Sequence, residues 1–159
     1  MINSYKEMLS ELINTRSTQI VANSNKDIYM EALECIFNQA VFDVVWYIND
    51  EIQLECITKN VEASIIKFLD AGKKCSIYVY KRYPDGRLSS FLKRIINSEK
   101  YKQNFNYYKS GLISAEGKEI DFLVFDNEGY RYSFEPNKCR AIFCANDVEF
   151  CNRLLKALK

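Results

Sequence analysis

Apolar residues recur along this chain with two periods, and the alternation between them lays out a fold. Over residues 4–15, Tyr5, Met8, Leu9, Leu12 and Ile13 fall three and four apart, which predicts a short amphipathic helix. Residues 18–22 read as a brief strand. Ser24-x-x-Asp27 resembles a capping box that opens a helix to about Gln39, with Ile28, Ala32, Leu33, Cys35 and Ile36 inward. Residues 42–48 are β-branched and aromatic and predict a buried strand. Asn49-Asp50 then turns the chain into a weakly alternating strand at 52–57. A helix over 60–71 carries Val61, Ile65, Phe68 and Leu69 on one face and stops at Gly72.

Beyond it the pattern predicts a strand at 75–80, a turn at 83–86, and a helix at 88–97 with Leu88, Phe91, Leu92 and Ile95 inward. A strand at 103–109 comes next. Residues 119–125 and 129–134 form a hairpin around Asn127-Glu128-Gly129. A last strand at 139–144 precedes a helix capped by Asn146, with Val148, Cys151, Leu154, Leu155 and Leu158 on its apolar side. Strands alternate with helices in the first half and cluster in the second. The expectation is an α/β fold, a mixed sheet with helices on both faces, in one domain over 1–159 with the helix at 4–15 as an appendage.

Composition narrows the chemistry. At 159 residues, 48% of them apolar, the chain can fill one core, and five glycines and two prolines leave little room for a linker. Its apolar runs, such as Val44 to Ile48, fall far short of the roughly 20 residues of a membrane span. The first residues lack the basic start and apolar stretch of a signal peptide, so a cytoplasmic location without membrane attachment is expected. The absence of histidine excludes every mechanism that needs an imidazole. Cys35, Cys56, Cys75, Cys139, Cys144 and Cys151 lie within apolar segments and no CxxC occurs. They are read as reduced core thiols, with no metal and no cofactor, in preference to a site built from Cys139, Cys144 and Cys151.

Net charge is only +1, yet it is unevenly spread: residues 1–72 carry −6, residues 73–109 carry +8 and residues 110–159 carry −1. Within the basic block, Lys81, Arg82, Arg87, Lys93 and Arg94 are the strongest binding candidates, interleaved with Tyr78, Tyr80, Tyr83, Phe91, Tyr101, Phe105, Tyr107 and Tyr108. Lysine and arginine neutralise phosphates and aromatic rings stack on bases, a composition that suits single-stranded nucleic acid. An acidic protein partner, including the acidic first third of a second copy in a homodimer, fits the charge as well. A merely solvated face ranks first, and a protein partner or homodimer ranks ahead of nucleic acid.

Two stretches resemble the phospholipase D-like fold. MEALECIFNQAVFDVVWYI followed by NVEASIIKFLDAGKKCSIYVY is similar to its opening helix, strand, helix and strand. EIDFLVFDNEGYRY followed by CRAIFCANDVEFCNRLLKAL is similar to its signature strand, the hairpin after it, and its closing strand and helix. The resemblance implies an active site of the form His-x-Lys-x4-Asp, with His as nucleophile and Lys on phosphate. Aligned on Asp126, however, Glu119 occupies the His position and Asp121 the Lys position. Two carboxylates repel a phosphodiester, so the resemblance implies a degenerate member without the family's chemistry.

The same residues admit a rival reading. Asp121 followed by Glu135-x-x-Lys138 resembles the PD-(D/E)xK nucleases, in which carboxylates on neighbouring strands hold Mg²⁺ and a lysine stabilises charge on phosphate. Here the Lys stands at +3 from Glu135, where an extended strand aims it to the other face. Ordinary solvated carboxylates, paired with Arg131 or Arg140, are the simpler reading. The sequence thus points first to a non-catalytic binding or regulatory module, then to a Mg²⁺-dependent nuclease, then to a structural subunit of a larger assembly.

Overall fold

A computed structural model describes residues 4–83 and 89–158. In chain order the elements are α1 (Tyr5–Asn14), β1 (Ile20–Asn23), α2 (Lys26–Gln39), β2 (Asp43–Asp50), α3 (Lys59–Asp70), β3 (Lys74–Lys81), α4 (Ser90–Ile96), β4 (Phe105–Lys109), β5 (Ser114–Ala115), β6 (Lys118–Glu119), β7 (Asp121–Phe125), β8 (Gly129–Glu135), β9 (Arg140–Cys144) and α5 (Val148–Ala157). Seven strands form one sheet in the order β1-β9-β8-β7-β2-β3-β4. β2, β3 and β4 run parallel, because α3 and α4 carry the chain back between them, whereas β2–β7–β8–β9–β1 pair antiparallel.

The sheet is mixed and helices lie on both its faces, as the pattern predicts. Val44, Trp46 and Ile48 of β2 and Cys75, Ile77 and Val79 of β3 point to one side, into a core shared with α1, α2, α3 and α4. The other face is covered differently. There Tyr47, Phe122, Val124 and Tyr130 join Cys151 and Leu154 of α5, and Phe150 meets the rings of Tyr130 and Tyr132 at 4.6 and 5.5 Å. α5 packs chiefly on β7 and β8; Tyr78 of β3 and Ile113 pack against the same cluster, and at the β3–β4 end Tyr80 and Tyr108 remain exposed.

Several local expectations need correction. Residues 52–57 are not a strand: Glu51–Cys56 is a 3-10 helix, its first turn capped by Asp50, whose carboxylate accepts the Ile52 N–H at 3.0 Å. Asn49 and Asp50 do not turn but continue β2. Asn25, not Ser24, caps α2 by accepting the N–H groups of Asp27 and Ile28. Asp147, not Asn146, caps α5 through the Phe150 N–H. The β7–β8 hairpin turns one residue early, on Asp126 and Asn127 with φ of 56° and 54°, and Glu128 N–H donates to the Phe125 carbonyl at 3.1 Å. The pattern gives no sign of the β5–β6 ladder, whose turn places Glu116 and Gly117 at positive φ. Most of the turn expected at 83–86 lies outside the described residues.

Candidate functional site

Glu119 and Asp121 do not form one continuous strand. The ladder breaks at Ile120, leaving Glu119 exposed at the end of β6 and Asp121 buried at the start of β7. Asp121 is 4% exposed. Its Oδ1 accepts the Asn49 backbone N–H at 2.8 Å and the Asn49 side-chain amide at 3.0 Å, and Asn49 also donates to the Ile120 carbonyl. Burial pushes the Asp121 carboxyl up to about 7; Glu119 and Asp50 add to the rise, while the Asn49 N–H and Arg131 oppose it. Arg131 lies on the same inner face, its guanidinium 3.7 Å from the centre of the Tyr29 ring and its Nη2 donating to the Cys139 carbonyl at 3.4 Å. Its Nε is buried without a partner among the described residues.

The other carboxylates hold the fold together. Asp126 sits at positive φ and accepts the N–H groups of Val41, Phe42 and Asp43 at 2.7, 2.9 and 3.1 Å, so it fastens the entrance of β2 to the hairpin turn. Glu128 pairs with Arg16 at 3.5 Å. Glu135 turns to Arg140 at 3.0 Å and to Lys138 at 3.4 Å. Lys138 therefore does not face away from Glu135. Pro136–Lys138 is a 3-10 turn, and its three-residue repeat brings the +3 side chain back. Across the β7–β8 ladder Asp121 stands opposite Ser133, with Glu135 beyond a register irregularity. The two carboxylates thus have different partners, one buried and one on the surface. Among the described residues no three His, Cys, Asp or Glu side chains are grouped so as to hold a metal ion.

The basic block resolves into separate places. Lys81 ends β3 and Arg82 follows it, and both face acidic partners where β2 ends: Lys81 lies 4.0 Å from Asp50, Arg82 3.9 Å from Glu51. Glu51 is buried and also accepts from the Tyr107 hydroxyl and, at 3.0 Å, from the Tyr83 N–H. Burial, and then Glu51, drive the Tyr107 hydroxyl far above its ordinary range. Lys93 and Arg94 are exposed on α4, whose Phe91, Leu92 and Ile95 are buried. Lys100 pairs with Asp70 at 3.0 Å and Lys102 with Glu99 at 3.9 Å. Lys74 and Lys81 bound the same strand, seven steps of about 3.3 Å and so roughly 23 Å apart. Arg87 lies outside the described residues. Arg94 and Lys109 form no ion pair with a described carboxylate.

Sequence reasoning missed Asn49, Glu51 and the depth of Arg131, and it placed Tyr107 among the aromatics of the basic block without its bond to Glu51. A faint signal for Arg131 was present, since it stands between two tyrosines whose side chains share the opposite face of β8.

The thiols are free, with Cys35, Cys75, Cys144 and Cys151 buried and Cys56 and Cys139 half-buried. No helix among the described residues is long and apolar enough to cross a membrane.

No protein-family model matches the sequence, and comparison with curated proteins finds no match. Solved structures do match. TrmBL2, an archaeal chromatin protein with a novel mode of DNA binding, superposes with a TM-score of 0.61 at 17% identity, over 96% of this chain and 55% of its own. The chain thus spans about half the length of that protein. NucT from Helicobacter pylori gives a TM-score of 0.60 at 12% identity, and the phospholipase D family member Nuc from Salmonella typhimurium 0.54 at 8%. Both cover 87% of this chain and 91% of their own. The order of partners expected from sequence, protein or homodimer ahead of nucleic acid, is overturned by a DNA-binding protein among these neighbours. The fold of this chain is phospholipase D-like.

Proposed function

We propose that this protein is a non-catalytic nucleic-acid-binding module on a phospholipase D-like scaffold. The observation that carries the reading is the state of Asp121. On the sequence alignment through Asp126, the lysine position of phospholipase D-like enzymes falls on Asp121, whose carboxylate is buried and engaged by Asn49. With no histidine in the chain, the nucleophile of that chemistry is missing as well. A scaffold that keeps its sheet and loses both groups is suited to holding a ligand. The exposed Lys93, Arg94 and Lys109 of the basic segment, together with fold likeness to a DNA-binding chromatin protein, favour a phosphate backbone as that ligand. Lys93 and Arg94, exposed on α4, and Lys109 at the end of β4 are the groups assigned to phosphate; Lys81 and Arg82 serve Asp50 and Glu51.

The test is binding of labelled DNA and RNA by purified protein across a salt series. Affinity is expected to fall steeply, with a log–log slope of about −0.9 per phosphate neutralised on duplex DNA. Replacing Lys93 and Arg94 together by Glu should weaken binding and lower its salt slope while the thermal transition is kept. Binding indifferent to salt would sink the proposal. So would Mg²⁺-dependent cleavage by wild-type protein that disappears in Asp121→Ala, which would restore the nuclease reading built on Asp121, Glu135 and Lys138.

A further inference from the structure

We infer that the exposed Tyr80 and Tyr108 at the β3–β4 end of the sheet form a stacking platform for single-stranded nucleic acid, a reading that rests on the nucleic-acid proposal above and names the form of ligand it takes. On β3 the side chains of Lys74, Ser76, Tyr78 and Tyr80 alternate with the core residues Cys75, Ile77 and Val79, so they share the face turned away from α1–α4. On β4, Asn106 and Tyr108 lie in register beside Ser76 and Tyr78. The Tyr78 and Tyr108 rings meet at 4.9 Å. Tyr80 and Tyr108 are 38% and 43% exposed, unusual for large aromatic side chains within a sheet.

Two features identify the occupant. First, the rings are accompanied by positive charge. Lys109 lies 5.7 Å from the centre of the Tyr80 ring with its Nζ on the Tyr80 carbonyl, and Lys74 stands at the opposite end of the tyrosine row. Asp43, beside Lys74 in the β2–β3 register, is the acidic group at that end; burial, and then Asp126, raise its carboxyl above the ordinary range. Second, the exposed rings lie at the edge of the sheet, where β4 is the last strand, while Ser76 is buried and Tyr78 half-buried behind them. Successive rings on one strand are two residues apart, roughly 7 Å, a spacing that unstacked bases reach and the bases of a closed duplex do not offer. Stacking on aromatic rings tolerates any sequence because every base has a π-face. The platform is therefore expected to bind single strands with little base preference.

The experiment is fluorescence anisotropy with a labelled oligo-dT, a mixed-sequence single strand and the corresponding duplex. Wild-type protein is expected to bind both single strands more tightly than the duplex. Tyr80→Ala and Tyr108→Ala should each weaken single-strand binding roughly tenfold to a hundredfold. Tyr108→Leu, which keeps apolar volume and removes the π-face, should behave like Tyr108→Ala. Lys109→Gln should reduce the salt slope on single strands by about 0.7. Thermal transitions of all variants show whether they fold; for any that does not, Tyr108→Leu and Lys109→Gln carry the test. Preferential duplex binding, or tyrosine variants that bind single strands like wild type, would overturn the platform and leave the nucleic-acid proposal standing. Failure to bind any of the three probes would overturn both.

Discussion

Asp121 is held where ionisation is costly, and this makes folding stability depend on pH. Its carboxyl titrates near 7 in the folded protein and near 3.8 when exposed. Below about pH 4 it is protonated in both states, and its neutral form contributes its full stability. As pH rises from there through 7 the unfolded chain has lost the proton while the folded chain retains it, so stability falls, then levels off. In Asp121→Asn the amide oxygen can still accept from Asn49 and no charge develops. The variant should flatten this fall and exceed wild type at pH 8 by a few kcal/mol at most, since each tenfold change in proton affinity is worth about 1.4 kcal/mol. Urea midpoints at pH 5 and 8 measure it, and parallel curves for the two proteins would refute it. Asp126 stabilises the fold by satisfying three N–H groups, so Asp126→Ala should destabilise by about 2 kcal/mol, read as a lower urea midpoint. Both aspartates could be singled out in the sequence, but their roles could not. Asn49 and Val41–Asp43 are more than seventy residues away along the chain, and no local pattern encodes such contacts.

At the level of elements, periodicity was informative wherever one face is apolar. α2, α3 and the strands β2, β3, β7 and β8 bury the side that their spacing predicts. It misled at 52–57, because Leu54 alone is buried there while Ile52 is exposed, and a 3-10 turn hides one side chain as readily as a strand does. The β7–β8 turn was legible to within one residue, whereas Asn49-Asp50 continues a strand and the Glu116-Gly117 turn left no sign in the pattern. Gly129 belongs to the hairpin for a reason of space, since a Cβ on it would lie 2.2 Å from Cζ of Phe125, a buried ring stacked on Phe143. Gly129→Ala must push that ring off its seat and is expected to cost about 1–3 kcal/mol, readable as a lower thermal midpoint. An unchanged midpoint would mean that Phe125 has another rotamer available.

Across the whole molecule, the fold class followed from the order of elements, whereas the fate of the basic block did not. Charge counted along sequence says nothing about which residues a strand will carry to opposite ends, or which will find Asp50, Glu51, Asp70 and Glu99 as neighbours. The thiols behave more simply. Cys56 and Cys139 are half-buried and the other four are buried, with burial pushing Cys151 up to about 12. A thiol reagent at pH 8 should therefore label two sites quickly and four only as the protein opens. Six equal rates in folded protein would contradict this packing.

The pairing of β1 with β9, which sets Ile20 against Cys144, makes the protein wait on its own synthesis. At about 5–20 residues per second, the partner of β1 leaves the ribosome on the order of ten seconds after β1 does. During that interval α1 can already dock on α2, its neighbour in the finished molecule, and hold the short strand beside the place β9 will fill. A nascent chain arrested before residue 140 should protect the amides of α2, β2, α3 and β3 from hydrogen exchange before those of β1. Protection of β1 is the clock that marks completion of the sheet.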